Sequence, residues 1–285
     1  MAAPPWQPPA RTSCKTTERV VGPAALEPDY IQKIGLESWV YLTQVVQARA
    51  VELGTLWFRS QWPDCSGALI WQLQDSWPAV SWSVLDWRGQ RKLAWYAARR
   101  ALANRAVAVV PCEAGWSVAV INDTDVAAQV RLQFRLVTPQ GRSIREQVQV
   151  VDAAGRSVRQ HALPTDWVDV LAAGQTLLVV DSVGFAPRCV HTQTPDHAMA
   201  YDKPAYTTSW AQGPAGMGLR VEAGTLMRDT AVQWDTAQRM NIDNQMLTLL
   251  PGESHTFWYQ SADPVQTQHS SAAPLVHSVN SLINQ

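Results

Sequence analysis

Charge is scarce in this chain of 285 residues: 16% of its side chains are Asp, Glu, Lys or Arg, and their formal sum is -1 at pH 7. With no excess of either sign there is no electrostatic footprint for nucleic acid or for an anionic membrane, and neither is expected as a partner. Basic residues come in isolated pairs such as Arg91-Lys92 and Arg99-Arg100, which read as solvated helix surface. No run of eighteen apolar residues could cross a bilayer, and residues 1–19, with Pro4, Pro5, Pro8 and Pro9, lack the apolar core of a secretory signal. The four cysteines, Cys14, Cys65, Cys112 and Cys189, form no Cys-x-x-Cys pair and have no histidines at zinc spacing. Free thiols in a reducing, cytoplasmic compartment are expected. The six histidines make no metal-ligand spacing, and the chain has no Gly-x-Ser-x-Gly elbow, phosphate loop or dinucleotide fingerprint. Neither a metal nor an organic cofactor is expected.

What the chain does have is an ordinary globular interior, at 46% hydrophobic content, and enough length for two or three domains. Its character changes near residue 104. Before it, Leu42, Val45, Val46, Leu53, Leu56 and Trp57 recur at helical spacing until Pro63. Gly67 to Leu73 is a short, almost continuous apolar run, as for a strand buried on both faces of a parallel sheet. A second helix is expected from about Arg91 to Leu102, rich in alanine and arginine. Helix, strand and helix make one α/β repeat, which cannot bury its own strand and needs neighbours from a larger protein or another chain.

After residue 104 the pattern turns to β. Trp116 to Asp123 runs into a turn, and Val130, Leu132, Phe134 and Leu136 alternate with polar neighbours. Gln147 to Val151, Val168 to Leu171 and Thr176 to Val180 read as further strands, with turns at Pro139-Gln-Gly141 and Ala173-Gly174. A second β block follows: Gly218 to Ala223, Leu226 to Trp234, Gln245 to Leu250, and His255 to Gln260. Strands this short and this closely spaced indicate sandwiches. The expected organisation is a disordered segment over 1–30, an α/β unit over 31–103, β-sandwiches over 104–199 and 200–263, and a flexible tail over 264–285.

Seven of the fourteen tryptophans fall between residues 57 and 95, around Gly67-Ala-Leu-Ile-Trp-Gln-Leu-Gln-Asp-Ser-Trp-Pro78. An indole offers a wide apolar face that stacks on the C–H face of a sugar ring, with an N–H free to donate. At the C-terminal end of a barrel strand, Trp71, Gln72, Gln74, Asp75 and Trp77 would surround a pocket. Trp71 and Trp77 fit core or rim packing equally well. Asp75 fits either a sugar hydroxyl or the cap of the following turn, and Asp86 is expected to cap or pair. Sugar cleavage needs two positioned carboxyl groups. None of the eight glutamates ends a recognisable barrel strand; Glu37 and Glu52 belong to the first helix, and Glu113, Glu146, Glu222 and Glu253 read as solvated surface.

The stretch Tyr41-Leu-Thr-Gln-Val-Val-Gln-Ala48, the tryptophan segment 67–78, Ser81-Trp82, Lys92 and Tyr96-Ala-Ala-Arg-Arg100 resembles the end of the catalytic barrel of glycoside hydrolase family 2 β-mannosidases. Asp243-Asn-Gln-Met-Leu-Thr-Leu-Leu-Pro-Gly-Glu253 resembles the last strands of that family's C-terminal immunoglobulin-like domain. The resemblance implies a fold of α/β plus all-β type: the last α/β repeat of a (β/α)8 barrel followed by two immunoglobulin-like β-sandwich domains. It implies a parent enzyme acting on a β-mannoside or oligosaccharide, with Trp71 as a wall of the terminal-sugar subsite and Asp75 and Trp77 in the adjoining loop. Gln74 departs from the family's usual asparagine. The family's two catalytic glutamates lie in upstream barrel motifs that do not occur here, so no catalytic residue is assigned, the upstream barrel part is an expected partner, and the chain alone is expected to be inactive. The alternative is a non-catalytic module that binds carbohydrate or docks a partner through its sandwiches.

Overall fold

The computed structural model describes residues 35–113, 115–214, 216–233, 240–261 and 274–282. The expectation of disorder over 1–30 lies outside them. The described residues are mostly antiparallel β-sheet with three α-helices.

Helix α1 (Leu36–Ser60) stops two residues short of Trp62-Pro63, since proline cannot continue a helix. Helix α2 (Leu93–Ala101) follows after a long connection. Tyr41, Leu42, Val45 and Ala48, at the spacing that lines one helix face, pack on Leu93, Ala94 and Ala97 of α2. Ala231, Met246, Val279 and Leu282, from the C-terminal part of the chain, complete the same core. Further along α1, Leu56 joins Ala101 against Ala106, Ala108, Val110, Ala119 and Ile121. One helix is therefore packed on both β regions.

The first β region contains β1 (Arg105–Cys112), β2 (Gly115–Asn122), β3 (Ala128–Val137), β4 (Ser143–Ala153), β5 (Ser157–Ala162), helix α3 (Thr165–Ala172), β6 (Leu177–Ser182) and β7 (Ala186–His191). Sheets β1-β2-β5 and β4-β3-β6-β7 enclose Val118, Val120, Leu132, Phe134 and Leu136. Val168 to Leu171, expected as a strand, lies in α3. Its buried pair is Trp167 and Leu171, one helical turn apart, with Pro164 before the first turn and Gly174 at φ 83 after the last. A four-residue apolar run cannot declare its period, and here helical burial decided it.

The second region contains β8 (Tyr206–Gly213), β9 (Gly216–Ala223), β10 (Met227–Gln233), β11 (Met240–Ile242), β12 (Leu247–Leu249), β13 (Ser254–Ser261) and β14 (Leu275–His277), in sheets β12-β10-β14 and β11-β13-β9-β8. The flexible tail expected over 264–285 is corrected where it is described. Strand β14 pairs with β10, Ala231 opposite His277, and Val279 and Asn280 are buried. The Asn280 side chain donates to Leu226 O (2.6 Å) and accepts from Arg228 N (3.0 Å), a polar anchor that hydrophobic patterning does not reveal.

Ion pairs tie the parts together. Arg49 of α1 donates to Asp229 Oδ2 (2.7 Å) and to Asp196, while the Tyr41 hydroxyl donates to Asp229 O (2.8 Å). Glu253, expected as solvated surface, is a link between the sandwiches. Arg188 of β7 donates to both its oxygens (2.5 and 2.8 Å) and to Asp181 (2.7 Å), and Leu250 N donates to it at 2.9 Å. Gly141, at φ 81 in the β3–β4 turn, brings the chain so close to Pro251 that a Cβ would lie 2.4 Å from its ring.

Burial raises the Asp229 carboxyl, but the guanidinium groups of Arg228 and Arg49 outweigh it and hold it below the usual carboxylate range. Burial likewise raises Glu253 and is outweighed by hydrogen bonds from Arg188 and Leu250 N–H. Carboxyls depressed in the folded state contribute stability above the pH, about 4, at which the unfolded chain titrates, and lose it as pH falls through their folded values. The thermal midpoint is expected to rise with pH across the acid range and flatten above about pH 5, with a smaller rise in Glu253→Gln. Arg49→Met removes the cation hydrogen-bonded to the buried Asp196 and Asp229, leaving Arg228 at 3.9 and 3.8 Å from them, and urea denaturation is expected to show a loss of about 3–5 kcal/mol.

Candidate functional site

The connection between α1 and α2 carries the tryptophan cluster. Gly67 to Leu73, expected as a strand buried on both faces, forms no strand and bends at Trp71 and Leu73. Leu69, Trp71 and Leu73 are 102, 76 and 66% exposed, while Ile70 packs against the helical core. Only one side of this segment has a covering layer among the described residues, so the period-two alternation leaves every second side chain in solvent. The Trp71–Gln72 peptide is cis.

Beyond Trp71 the chain does pair. Val84 N donates to Gln72 O (3.2 Å), Leu85 N to Leu73 O (2.9 Å) and Asp75 N to Leu85 O (3.2 Å), so residues 72–75 run parallel to 83–85. The loop that follows is held by Asp86, whose Oδ1 accepts from Arg88 N (2.8 Å) and Gln90 N (2.7 Å), the capping role expected of it. Helix α1 supplies two polar supports: Gln44 Oε1 caps α2 through Leu93 N (3.0 Å), and Gln47 Nε2 donates to Trp82 O (2.6 Å).

Trp71 and Trp77, 76 and 68% exposed, are carried outward on this connection, and Trp82 beside them is exposed as well. Asp75 is turned the other way and is 6% exposed. Its Oδ2 accepts from Lys92 Nζ (2.8 Å), and its Oδ1 accepts a short hydrogen bond from Ser81 Oγ. Lys92 Nζ also donates to Ser83 Oγ (2.7 Å), and Ser83 Oγ donates to Leu85 O (2.7 Å). Hydrogen bonds from Lys92 and then Ser81 hold the Asp75 carboxyl down at about 2, so it is a carboxylate at any physiological pH and not a proton donor. Between Gly67 and Trp82 the connection thus pairs an outer row of Leu69, Trp71, Leu73 and Trp77, with no charged side chain exposed among them, with a polar, hydrogen-bonded underside. The outer row suits stacking on a neutral ring.

Sequence reading did not assign roles to Ser81, Ser83, Gln44 and Gln47, whose partners become neighbours only on folding. Lys92, read with Arg91 as solvated helix surface, is instead largely shielded and paired with Asp75. Among the described residues no three His, Cys, Asp or Glu side chains converge as metal ligands, and no helix is long and apolar enough to cross a membrane.

No family model matches the chain. β-Mannosidase B of Aspergillus niger is 34% identical over 165 residues, which covers 52% of this chain and 18% of that protein. β-Mannosidase B of Aspergillus flavus is 48% identical over 86 residues, covering 29% of this chain and 10% of that protein. Over these stretches the chain is similar to β-mannosidases. It spans less than a fifth of the length of these curated β-mannosidase relatives. The crystal structure of the β-D-mannosidase of Dictyoglomus thermophilum matches with a TM-score of 0.70 at 18% identity, over 85% of this chain and 30% of that one. An exo-chitosanase of Amycolatopsis orientalis matches with a TM-score of 0.60 at 15% identity, over 85% and 34%. These likenesses show that the chain shares its β-sandwich architecture with the two structures.

If the exposed tryptophans serve a ligand and not the fold, removing them costs the fold little. Trp71→Ala and Trp77→Ala are each expected to change stability by no more than about 0.5 kcal/mol, as for other surface sites. Asp75→Asn, which strips the partner from a buried lysine, is expected to lower the melting temperature visibly. Thermal melts of the three variants check both expectations.

Proposed function

We propose that this chain belongs to a retaining exo-β-mannosidase that removes terminal β-linked mannose from glycans, and that it contributes one wall of the sugar subsite. Residues 35–103 correspond in this reading to the last α/β repeat of a (β/α)8 barrel, with the exposed row Leu69, Trp71 and Leu73 directed at the barrel interior. Trp71 and Trp77 present the stacking faces, and Asp75 belongs to the same wall from beneath. The carrying observation is a pair of indoles more than two-thirds exposed on a connection whose lone acidic side chain between Ser66 and Leu85 is buried and ion-paired. A surface of this kind favours binding a neutral, ring-shaped ligand over water.

The catalytic carboxylates come, in this reading, from elsewhere in the parent enzyme. A retaining mechanism needs two carboxyl groups about 5–5.5 Å apart, one free to attack and one to exchange a proton. Among the described residues, Asp75 is committed to Lys92, Glu52 pairs with Arg100 (3.4 Å) and Glu253 pairs with Arg188. Binding contacts alone supply neither the covalent nor the proton-transfer step.

The purified chain is expected to give no turnover of an aryl β-mannoside above background; turnover abolished by replacing one of its glutamates would overturn this assignment. In a titration with methyl β-mannoside, tryptophan fluorescence is expected to change in the wild-type chain and not in Trp71→Ala. Binding that survives Trp71→Ala would move the site to the sandwiches and favour a carbohydrate-binding module.

A further inference from the structure

Trp71, Trp77 and Trp82 are each more than half exposed. Hydrophobic stabilisation acts only on the area removed from water, so the rings of this wall do little to hold their own positions. Pre-organisation of a stacking face requires some other restraint, because a wall that must be ordered on binding loses affinity to that ordering. The charged cluster beneath it is placed to provide one.

We propose that Lys92 is a positioning residue for the tryptophan wall, acting through Asp75 and Ser83 without touching the ligand. This rests on the saccharide reading given above. The Lys92 ammonium bridges the two segments that bear the indoles: Asp75 lies between Trp71 and Trp77, and Ser83 directly follows Trp82. Ser81 closes the ring, donating to Asp75 and accepting from Ser83 N at 3.1 Å. The main chain is tied at the same place, with Lys92 N donating to Val84 O at 3.0 Å. Both charged partners are largely shielded, with side chains 14 and 4% exposed, so solvent does little to screen their attraction. A compact ammonium can also meet two oxygens lying in different directions, where a planar guanidinium imposes its own fork geometry. Asp75 accordingly acts under the wall, its two oxygens facing Lys92 and Ser81, and it is not a direct sugar ligand.

The test is NMR of the full chain labelled at the tryptophan indole nitrogens. It compares wild type, Lys92→Met, Lys92→Arg and Trp71→Ala, reading the heteronuclear NOE of the Trp71 and Trp77 indole N–H and the Kd for methyl β-mannoside. Lys92→Met is expected to lower both NOEs and to weaken binding by about five-fold or more. Lys92→Arg is expected to recover part of both, and the signals of Trp116 and Trp167 in the first sandwich to stay in place. A folded Lys92→Met with unchanged NOEs and unchanged Kd would overturn the proposal. Lowered NOEs in a chain whose wild type binds no saccharide would keep the positioning role and sink the saccharide reading instead. If Lys92→Met does not melt cooperatively, Ser83→Ala removes a single hydroxyl of the same cluster and is judged by the same outcomes.

Discussion

The arrangement of the described residues depends on one buried ion-pair cluster, centred on Arg49 and flanked by Arg228. Arg49, midway along α1, reaches two carboxylates that lie 147 and 180 residues later in sequence, Asp196 in the linker between the sandwiches and Asp229 in β10. Asp196 is held in turn by the Tyr201 hydroxyl at 2.7 Å. Burying charge is expensive, and a well-satisfied buried ion pair is seldom more stabilising than an apolar replacement; what it does supply is a penalty for every arrangement that leaves one partner alone. The Arg49 cluster is thus best understood as fixing how α1, the linker and the second sandwich meet, while the apolar core of Tyr41, Leu42, Val45 and Ala48 supplies the burial. The Arg188–Glu253 pair does the same between the two sandwiches.

With α1 fixed in this way, its opposite side becomes a platform. Gln44 and Gln47 lie within two turns of Arg49 and reach the tryptophan-bearing connection and the start of α2. Position is therefore passed from the sandwiches, through one rigid helix, to a connection with little apolar burial of its own. Between Gly67 and Trp82 the connection has an exposed outer row and an inner face that holds it, and these use different chemistry: indole and aliphatic side chains outside, ionic and hydrogen-bonded groups inside. Separation of this sort leaves the exposed rings free of any part in the supporting contacts.

The parts legible in the sequence were those whose periodicity reports their own surroundings. The apolar stripe of α1, the alanine-rich α2 and the alternation of Val130, Leu132, Phe134 and Leu136 all read correctly, because each element has one face in a core. Gly67 to Leu73 misled because a continuous apolar run signals two covered faces only if the second cover is there. Ser157–Ala162 and Ala186–His191 were missed as strands because their residues are largely polar or half-buried, and Val168 to Leu171 was too short to separate strand from helix. Glu253 and Asp75 illustrate a deeper limit. Whether a carboxylate is solvated, ligand-facing or locked in an ion pair depends on partners such as Arg188 and Lys92 that lie 65 and 17 residues away, and local pattern carries no record of them.

A crystal structure of the chain soaked with methyl β-mannoside tests the central claim most directly. A sugar ring stacked on Trp71, with the Lys92–Asp75 pair intact beneath it, is the result this account predicts. A saccharide bound on either sandwich, with the Trp71 face empty, would contradict it.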